Sequence, residues 1–432
     1  MKRNAFLILL VVFTMTLSYG QQDNYIYKYR QMAVDYQQQV KMAQSDLAGA
    51  ESMVEAAKSD FLPKLDFNGD YTYLGAPIQL GSATPGLEGE ELQHRYVLDL
   101  GLYQPVYTGG YLKNTRDAAL SQAEVMKSYI SLNEQEVMAS SDAFYWNAVA
   151  KKEIYKLLKK YRDDIAEFLK VIQDRVDEEV VGMTELYQTK VRFNDAEYEV
   201  IRSNKEFNIS VMKLNRIVGV PIGAATNVAD SLIAINWMKT DIDLTDRAIK
   251  QRPEISILEN TVSVNEFNEK ITASKYNPQF GVGVDGYWGA PSRGLNADPN
   301  YNYNFQATLT IPVFYWGKKK EEVFASQQVT EVTRLEMEQT KDMINLEVET
   351  SYYNLQQTQQ QLDFATSSLE NATNNVDVMV DRYFEGLSSV LEVLDAQFNW
   401  QKTYFNYIQA KHQLNIAYTS YQRAMGELSI AQ

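Results

Sequence analysis

"YNYNFQATLTIPVFYWGKKK", residues 301 to 320, alternates apolar and polar side chains over eleven positions, meets a proline, and then opens a long polar helical pattern. Tyr301, Tyr303, Phe305, Ala307, Leu309 and Ile311 share one face of an extended chain. Asn302, Asn304, Gln306, Thr308 and Thr310 share the other, because successive strand side chains point to opposite sides. Eleven residues is about what a tilted strand needs to cross a bilayer, and small polar residues on the second face suit a wet lumen. A half-buried strand in a soluble sheet carries the same pattern, so the decision rests on the rest of the chain.

The 432 residues include only 21 Gly and 10 Pro, which favours long regular elements over many short ones. Residues 1–20 carry Lys2 and Arg3, an apolar run from Ala5 to Phe13, and small Ser18 and Gly20 before a cut at Gln21, the pattern of a secretory signal peptide. No later stretch is apolar for eighteen residues, so a membrane role would fall to strands. The absence of cysteine excludes disulfides, thiolate metal sites and a lipid anchor on an N-terminal cysteine. A net charge of −15, more negative once Lys2 and Arg3 are removed, argues against nucleic acid as a partner. The only histidines, His94 and His412, belong to no catalytic or metal-spaced cluster, so no enzyme activity, cofactor or metal is expected.

The chain repeats itself. "LGLYQPVYTGG" aligns with "ATLTIPVFYWG" at an offset of 207, pairing Pro105 with Pro312 and Gly110 with Gly317. The same offset pairs "FYWN" at Phe144 with "SYYN" at Ser351, Arg175 with Arg382, Glu185 with Glu392, and Gly219 with Gly426. Upstream, "SDFLPKLDF" matches "SKYNPQFGV" at an offset of 215, bringing Pro63 onto Pro278, so the first inter-strand loop is longer. Two tandem repeats follow, 21–243 and 244–432. The first is read as a helix, strands near 65–73 and 95–104, a long helix 111–178, a return helix 183–218 and an equatorial segment 219–243. The second is read as helix 244–275, strands near 279–288 and 301–311, long helix 318–385 and return helix 387–428. The long helices keep coiled-coil spacing, at Leu362, Ala365, Leu369, Ala372, Val376, Met379 and Tyr383 in the second and at Tyr155, Leu158, Ile165, Leu169, Ile172 and Val176 in the first. Each spans about 100 Å; the first return helix at about 54 Å matches that only with 244–275 stacked end on.

Four bilayer-length strands cannot close a barrel, and open edges are not tolerated in lipid. Two chains would supply about eight strands, too narrow for a water-filled channel, whereas three supply about twelve. The fold expected is therefore mainly α with transmembrane β, a trimeric twelve-stranded barrel continuous with a coiled-coil barrel of helices. The proline and glycine would mark the junction, at Pro63, Pro105, Pro278, Pro312, Gly110 and Gly317.

With duplication, strand pairs and helix tips together, the chain resembles the TolC family of outer-membrane efflux proteins over essentially its whole mature length. The most specific element is "RYFEGLSSVLEVLDAQ", 382–397. The resemblance implies a homotrimer in the outer membrane with a large periplasmic portion. It would act as the exit duct of a tripartite efflux or type I secretion system, docked on a periplasmic adaptor and an inner-membrane pump.

The resemblance also implies an iris-like periplasmic gate. Carried over by motif, its acids are Glu392 and Asp395, one turn apart on one helix face. Thr184, Glu185 and Tyr383 resemble the groups that tie neighbouring hairpins shut, but Ser388 stands where the family has a basic residue, which leaves open whether the ion-pair latch of some members, a hydroxyl hydrogen bond or no latch is present, with coiled-coil packing as the other means of closure. Gly182 and Gly386 suit tight turns at the tips and, with Met183, Leu387 and Val390, would offer apolar notches to an adaptor; simple turn chemistry is the other reading. Lys318, Lys319 and Lys320 are either a solvated charge run or, at the barrel's end, ligands for headgroups of the outer-membrane lipid. A periplasmic adaptor or a structural coiled-coil envelope protein are the competing functions. Neither accounts for amphipathic strand pairs recurring before each long helix.

Overall fold

The computed structural model describes residues 25–80, 90–233, 235, 244–290 and 299–430. Within them run helices α1 (25–36) and α2 (Gln38–Ser59), strands β1 (Lys64–Leu80) and β2 (Glu90–Tyr107), and helices α3 (Tyr111–Asp177), α4 (Met183–Val218), α5 (Leu244–Gln251) and α6 (Pro253–Ser274). Strands β3 (Gln279–Ala290) and β4 (Asn300–Thr310) follow, then helices α7 (Lys318–Phe384) and α8 (Val390–Ala424). Two strands, a helix of 67 residues and a shorter return helix thus occur twice in the same order. The expected signal peptide, and residues 234 and 236–243 of the expected equatorial segment, lie outside the described residues. The chain divides into two compact units: one of Gln44–Ser128 and Ser256–Glu338, the other of the residues up to Ala43, Tyr129–Ile255 and those from Gln339 on.

The first unit carries one antiparallel sheet in the order β1-β2-β3-β4. Its register sets Phe67 opposite Leu100, Tyr71 opposite Tyr96, Leu98 opposite Trp288, Val284 opposite Phe305, and Trp288 opposite Tyr301. Directly opposed residues share a face, so one apolar face crosses all four strands. On the other face Asp66, Gly101, Asp285 and Asn304 form one row, and Asn68, Asp99, Tyr287 and Asn302 the next. The apolar face is bare, with Phe305 79% and Phe67 69% exposed. A soluble sheet would bury that face and wet the other. Among the described residues, β1 and β4 each keep an unpaired edge.

Chain chemistry explains where elements depart from expectation. β1 and β2 extend beyond 65–73 and 95–104 because pairing slips past "LGAPI" between Tyr73 and Ile78 and then resumes. β2 also runs through Pro105, with a register shift between Pro105 and Tyr107, as expected of a residue with no N–H to give the ladder. The expected helix 244–275 breaks at Arg252, which precedes Pro253 and is driven from helical geometry by the proline ring. Its guanidinium then bridges Glu254 at 2.6 Å and Glu347 at 2.9 Å. The first helix is interrupted at Gln37, whose amide donates to the Ile217 carbonyl at 2.6 Å. The second return helix is shorter than 387–428, running Val390–Ala424.

In the second unit the apolar stripes predicted on α3 and α7 face inward. Ile165, Phe168, Ile172, Leu186, Tyr383, Val390, Val393 and Leu394 form a core at the helix ends, and Tyr145, Trp146, Val149, Leu157, Leu214 and Ile408 belong to a larger one. Beside the larger core, residues 221–233 are gripped through their backbone. Asn215 donates its amide to the carbonyls of Pro221, Ile222 and Ala224, Tyr29 donates to Asn227 at 2.5 Å, and Lys152 to Val228 at 2.7 Å. Glu153 accepts from the Leu232 amide at 2.8 Å, while Lys411 donates to the Leu232 carbonyl and pairs with Glu153 at 2.8 Å.

Candidate functional site

The ends of the two helical hairpins lie in the same unit and meet over the smaller core. α7 stops because Gly386 adopts φ 77°, and the chain re-enters α8 after a short turn. Ser389 caps α8: its hydroxyl accepts from the Glu392 amide, while the Glu392 carboxylate accepts from the Ser389 backbone N–H at 2.7 Å and hydroxyl at 3.0 Å. Those donors hold the Glu392 carboxyl below the usual carboxylate range, with Arg382 adding to the effect. Glu392 is thus turned back on its own helix end. The residues that would have announced this, Ser389 followed three places on by Glu392, are the sequence signature of a reciprocal cap.

Asp395 reaches across to α4, where Arg192 donates to it at 3.4 Å. The same guanidinium lies 5.2 Å from the Phe398 ring centre. The two acids expected as a pair are therefore engaged separately, one by a cap and one by a neighbouring hairpin.

Ser388 accepts from Arg382 Nε at 3.3 Å, and Arg382 Nη2 also donates to the Leu387 carbonyl at 3.3 Å. A basic residue does stand at this tip, but it secures its own turn. Tyr383 is buried, its ring 5.3 Å from Phe168 edge to face, and among the described residues its hydroxyl has no hydrogen-bond partner. Glu185 Oε2 is likewise buried without a partner, and Thr184 is exposed at the start of α4. The contact that does bind Tyr383 to the other hairpin is one that pattern reading missed. Arg175 of α3 sits 4.7 Å from the Tyr383 ring centre and 5.6 Å from that of Phe384. Its pairing with Arg382 at the repeat offset was visible, yet the two arginines have come to do different work.

Of the expected notch residues, Gly182, Met183, Gly386 and Leu387 are exposed. Val390 is not: at 1% exposure it is packed into the tip core, because the capped first turn of α8 directs it inward. At the other end of the long helices, Pro63 and Pro278 directly precede β1 and β3, Pro105 lies inside β2, and Pro312 follows β4. Gly110 and Gly317 take φ of 96° and 81° just before α3 and α7, a conformation that side chains resist. Lys318 pairs weakly with Glu322 at 3.5 Å, and Lys319 and Lys320 are exposed. No cluster of metal-binding side chains occurs among the described residues.

Comparison with known proteins agrees with this geometry. The profile of the family described as "Outer membrane efflux protein" matches residues 30–220 and 244–427. Outer membrane protein TolC of Escherichia coli K12 is 19% identical over 95% of this chain and 84% of its own length. The pyoverdine export outer membrane protein OpmQ of Pseudomonas aeruginosa is 20% identical over 68% of this chain and 62% of its own length. Among solved structures, the CmeC outer membrane channel of Campylobacter jejuni superposes with a TM-score of 0.74 at 16% identity, covering 94% of this chain and 87% of that one.

Proposed function

The chain belongs to the outer membrane efflux protein family, and on that premise we propose that three copies pool their sheets into one twelve-stranded barrel and their helices into a coiled-coil duct continuous with it. The observation that carries this is the sheet itself, whose bare apolar face and two unpaired edges are satisfied together only by lipid outside and like sheets on either side. Exposed apolar residues along α4 support the same arrangement for the helices: among the described residues, Tyr187, Val191, Tyr198, Ile201, Ile209 and Met212 recur at helical spacing and are left uncovered.

Solutes would pass without chemical change from an inner-membrane pump and periplasmic adaptor, through the duct, to the outside. Gly182, Met183, Gly386 and Leu387 are the surface offered to the adaptor. The mouth would close where the hairpins meet. Two kinds of contact across them, Arg175 on Tyr383 and Arg192 with Asp395, take the place of an ion-pair latch at Ser388. Single-channel recording in planar bilayers tests the reading. A small cation-selective conductance whose selectivity falls in the Glu392→Ala, Asp395→Ala double variant is expected. A pore indifferent to that change would remove the acids from the mouth, and a folded protein that makes no pore would refute the duct.

A further inference from the structure

Between β4 and α7 the chain exposes four consecutive large apolar side chains, Val313, Phe314, Tyr315 and Trp316, with Val313 88% and Trp316 89% open. Trp316 holds φ at 51°, a left-handed conformation that non-glycine residues avoid, and its ring meets Phe314 edge to face with centres 4.7 Å apart. Among the described residues, nothing buries this strained indole. Of the two carboxylates that follow the lysines, Glu321 makes no ion pair among the described residues, and Glu322 is already engaged, accepting from Tyr276 at 2.8 Å and pairing with Lys318. Lys319 and Lys320 have no ion pair among the described residues, and they flank an open cleft with Gly317, Val323, Phe324 and Gln327. The corresponding turn of the first repeat, "YTGGYLKN", has neither the aromatic run nor the lysine cluster.

We infer that residues 313–320 form a binding site for an anionic phospholipid, with the phosphate between the Lys319 and Lys320 ammoniums and the apolar portion against Val313, Phe314 and Trp316. This rests on the reading that β4 crosses the membrane, since that puts the aromatic ledge on the lipid side of the lysines. Charge argues for the occupant. A chain of net charge −15 is repelled by an anionic surface, so two unneutralised lysines held beside an interfacial tryptophan are a local exception that a phosphate complements. The strain at Trp316 then has a use, fixing the indole at headgroup depth.

The test is titration of the purified full-length protein in detergent with phosphatidylglycerol or phosphatidylcholine, read by native mass spectrometry. Wild type should prefer phosphatidylglycerol. Lys319→Ala with Lys320→Ala should weaken that binding about 30-fold, roughly fivefold per lysine, and Trp316→Ala should weaken both lipids. A control pair, Lys205→Ala with Lys213→Ala, should change nothing. Equal binding of the two lipids by wild type, full retention by the Lys319/Lys320 variant, or displacement of phosphatidylglycerol by millimolar glycerol phosphate would each overturn the inference. Planar-bilayer conductance of the same preparations separates the two proposals: loss of the pore in wild type refutes the duct, whereas a conducting protein with no lipid preference refutes the lipid site alone.

Discussion

Replacing Arg175 with alanine should loosen the mouth of the proposed duct. The guanidinium spans two hairpins, from α3 to the rings of Tyr383 and Phe384 at 4.7 and 5.6 Å, and separating the hairpins breaks both contacts at once. Tyr383 is buried while Arg175 is half-exposed, which puts the contact between the exposed and desolvated limits for a cation over a ring, about 1 kcal/mol per chain. If three chains open together, the contributions sum to about 3 kcal/mol, which moves the open–closed equilibrium about 100-fold. Arg175→Lys keeps the charge but loses the flat stacking surface, so it should fall between wild type and alanine. Open probability in single-channel records reads the effect directly. An alanine variant with the open probability of wild type would refute the clasp.

Four other outcomes are expected. Asp395→Asn removes an exposed pair worth about 0.2–1 kcal/mol per chain, about 0.6–3 kcal/mol if three chains open together, so it should move the open–closed equilibrium at low salt by about threefold to 100-fold and do nothing in 1 M KCl. Lys411→Met strands the Glu153 carboxylate in a dry site and should destabilise the helical unit by about 3–5 kcal/mol in denaturant unfolding, with Glu153→Gln restoring part of the loss. Gly219 ends α4 at φ 76° with the Tyr36 side chain where a Cβ would go, so Gly219→Ala should cost about 1–2 kcal/mol by the same measurement. The Glu392 cap has a pH signature. Its carboxyl pKa is lowered from 4.5 in the fold, so the stabilisation is present above pH 4.5 and disappears as pH falls through the lowered value. Amide protection factors at residues 389–393, corrected for the intrinsic pH dependence of exchange, should fall across that acid range in wild type and be low at every pH in Glu392→Ala.

Much of the architecture was readable because it is periodic. Period two in 301–311 and period 3.5 in 362–383 each constrain which side is buried, and the offset of 207 carries one reading onto the other half. Strand ends were less readable because Gly75, Pro77 and Pro105 look like stops, whereas a paired neighbour carried the ladder past them. The break at Arg252 followed from Pro253 alone, but helical periodicity on both sides masked it. At the helix tips, the motif marked the turn but not the contacts that its residues make within the chain. Whether an acid is free, capping or paired depends on which helix lies beside it, and Arg175 and Arg192 are separated from their partners by about two hundred positions.

The grip on residues 221–233 bears on how this protein can change over evolutionary time. Most bonds that Asn215, Tyr29, Lys152, Glu153 and Lys411 make to that stretch are to main-chain carbonyls or amides, which every substitution other than proline leaves in place; Thr226, which donates to Asn215, and Asp230, which pairs with Lys152, are held by their side chains. The holding residues are therefore under constraint, as are Thr226, Asp230 and the buried Val228 and Leu232, while the exposed Ile222, Ala225 and Asn227 are not. The side chains of those three can drift, acquire charge or acquire a new surface without loosening the structure, much as a peptide-binding cleft that reads only backbone accepts many peptides. Diversification within the family has, at those positions, a place to occur at little cost to stability.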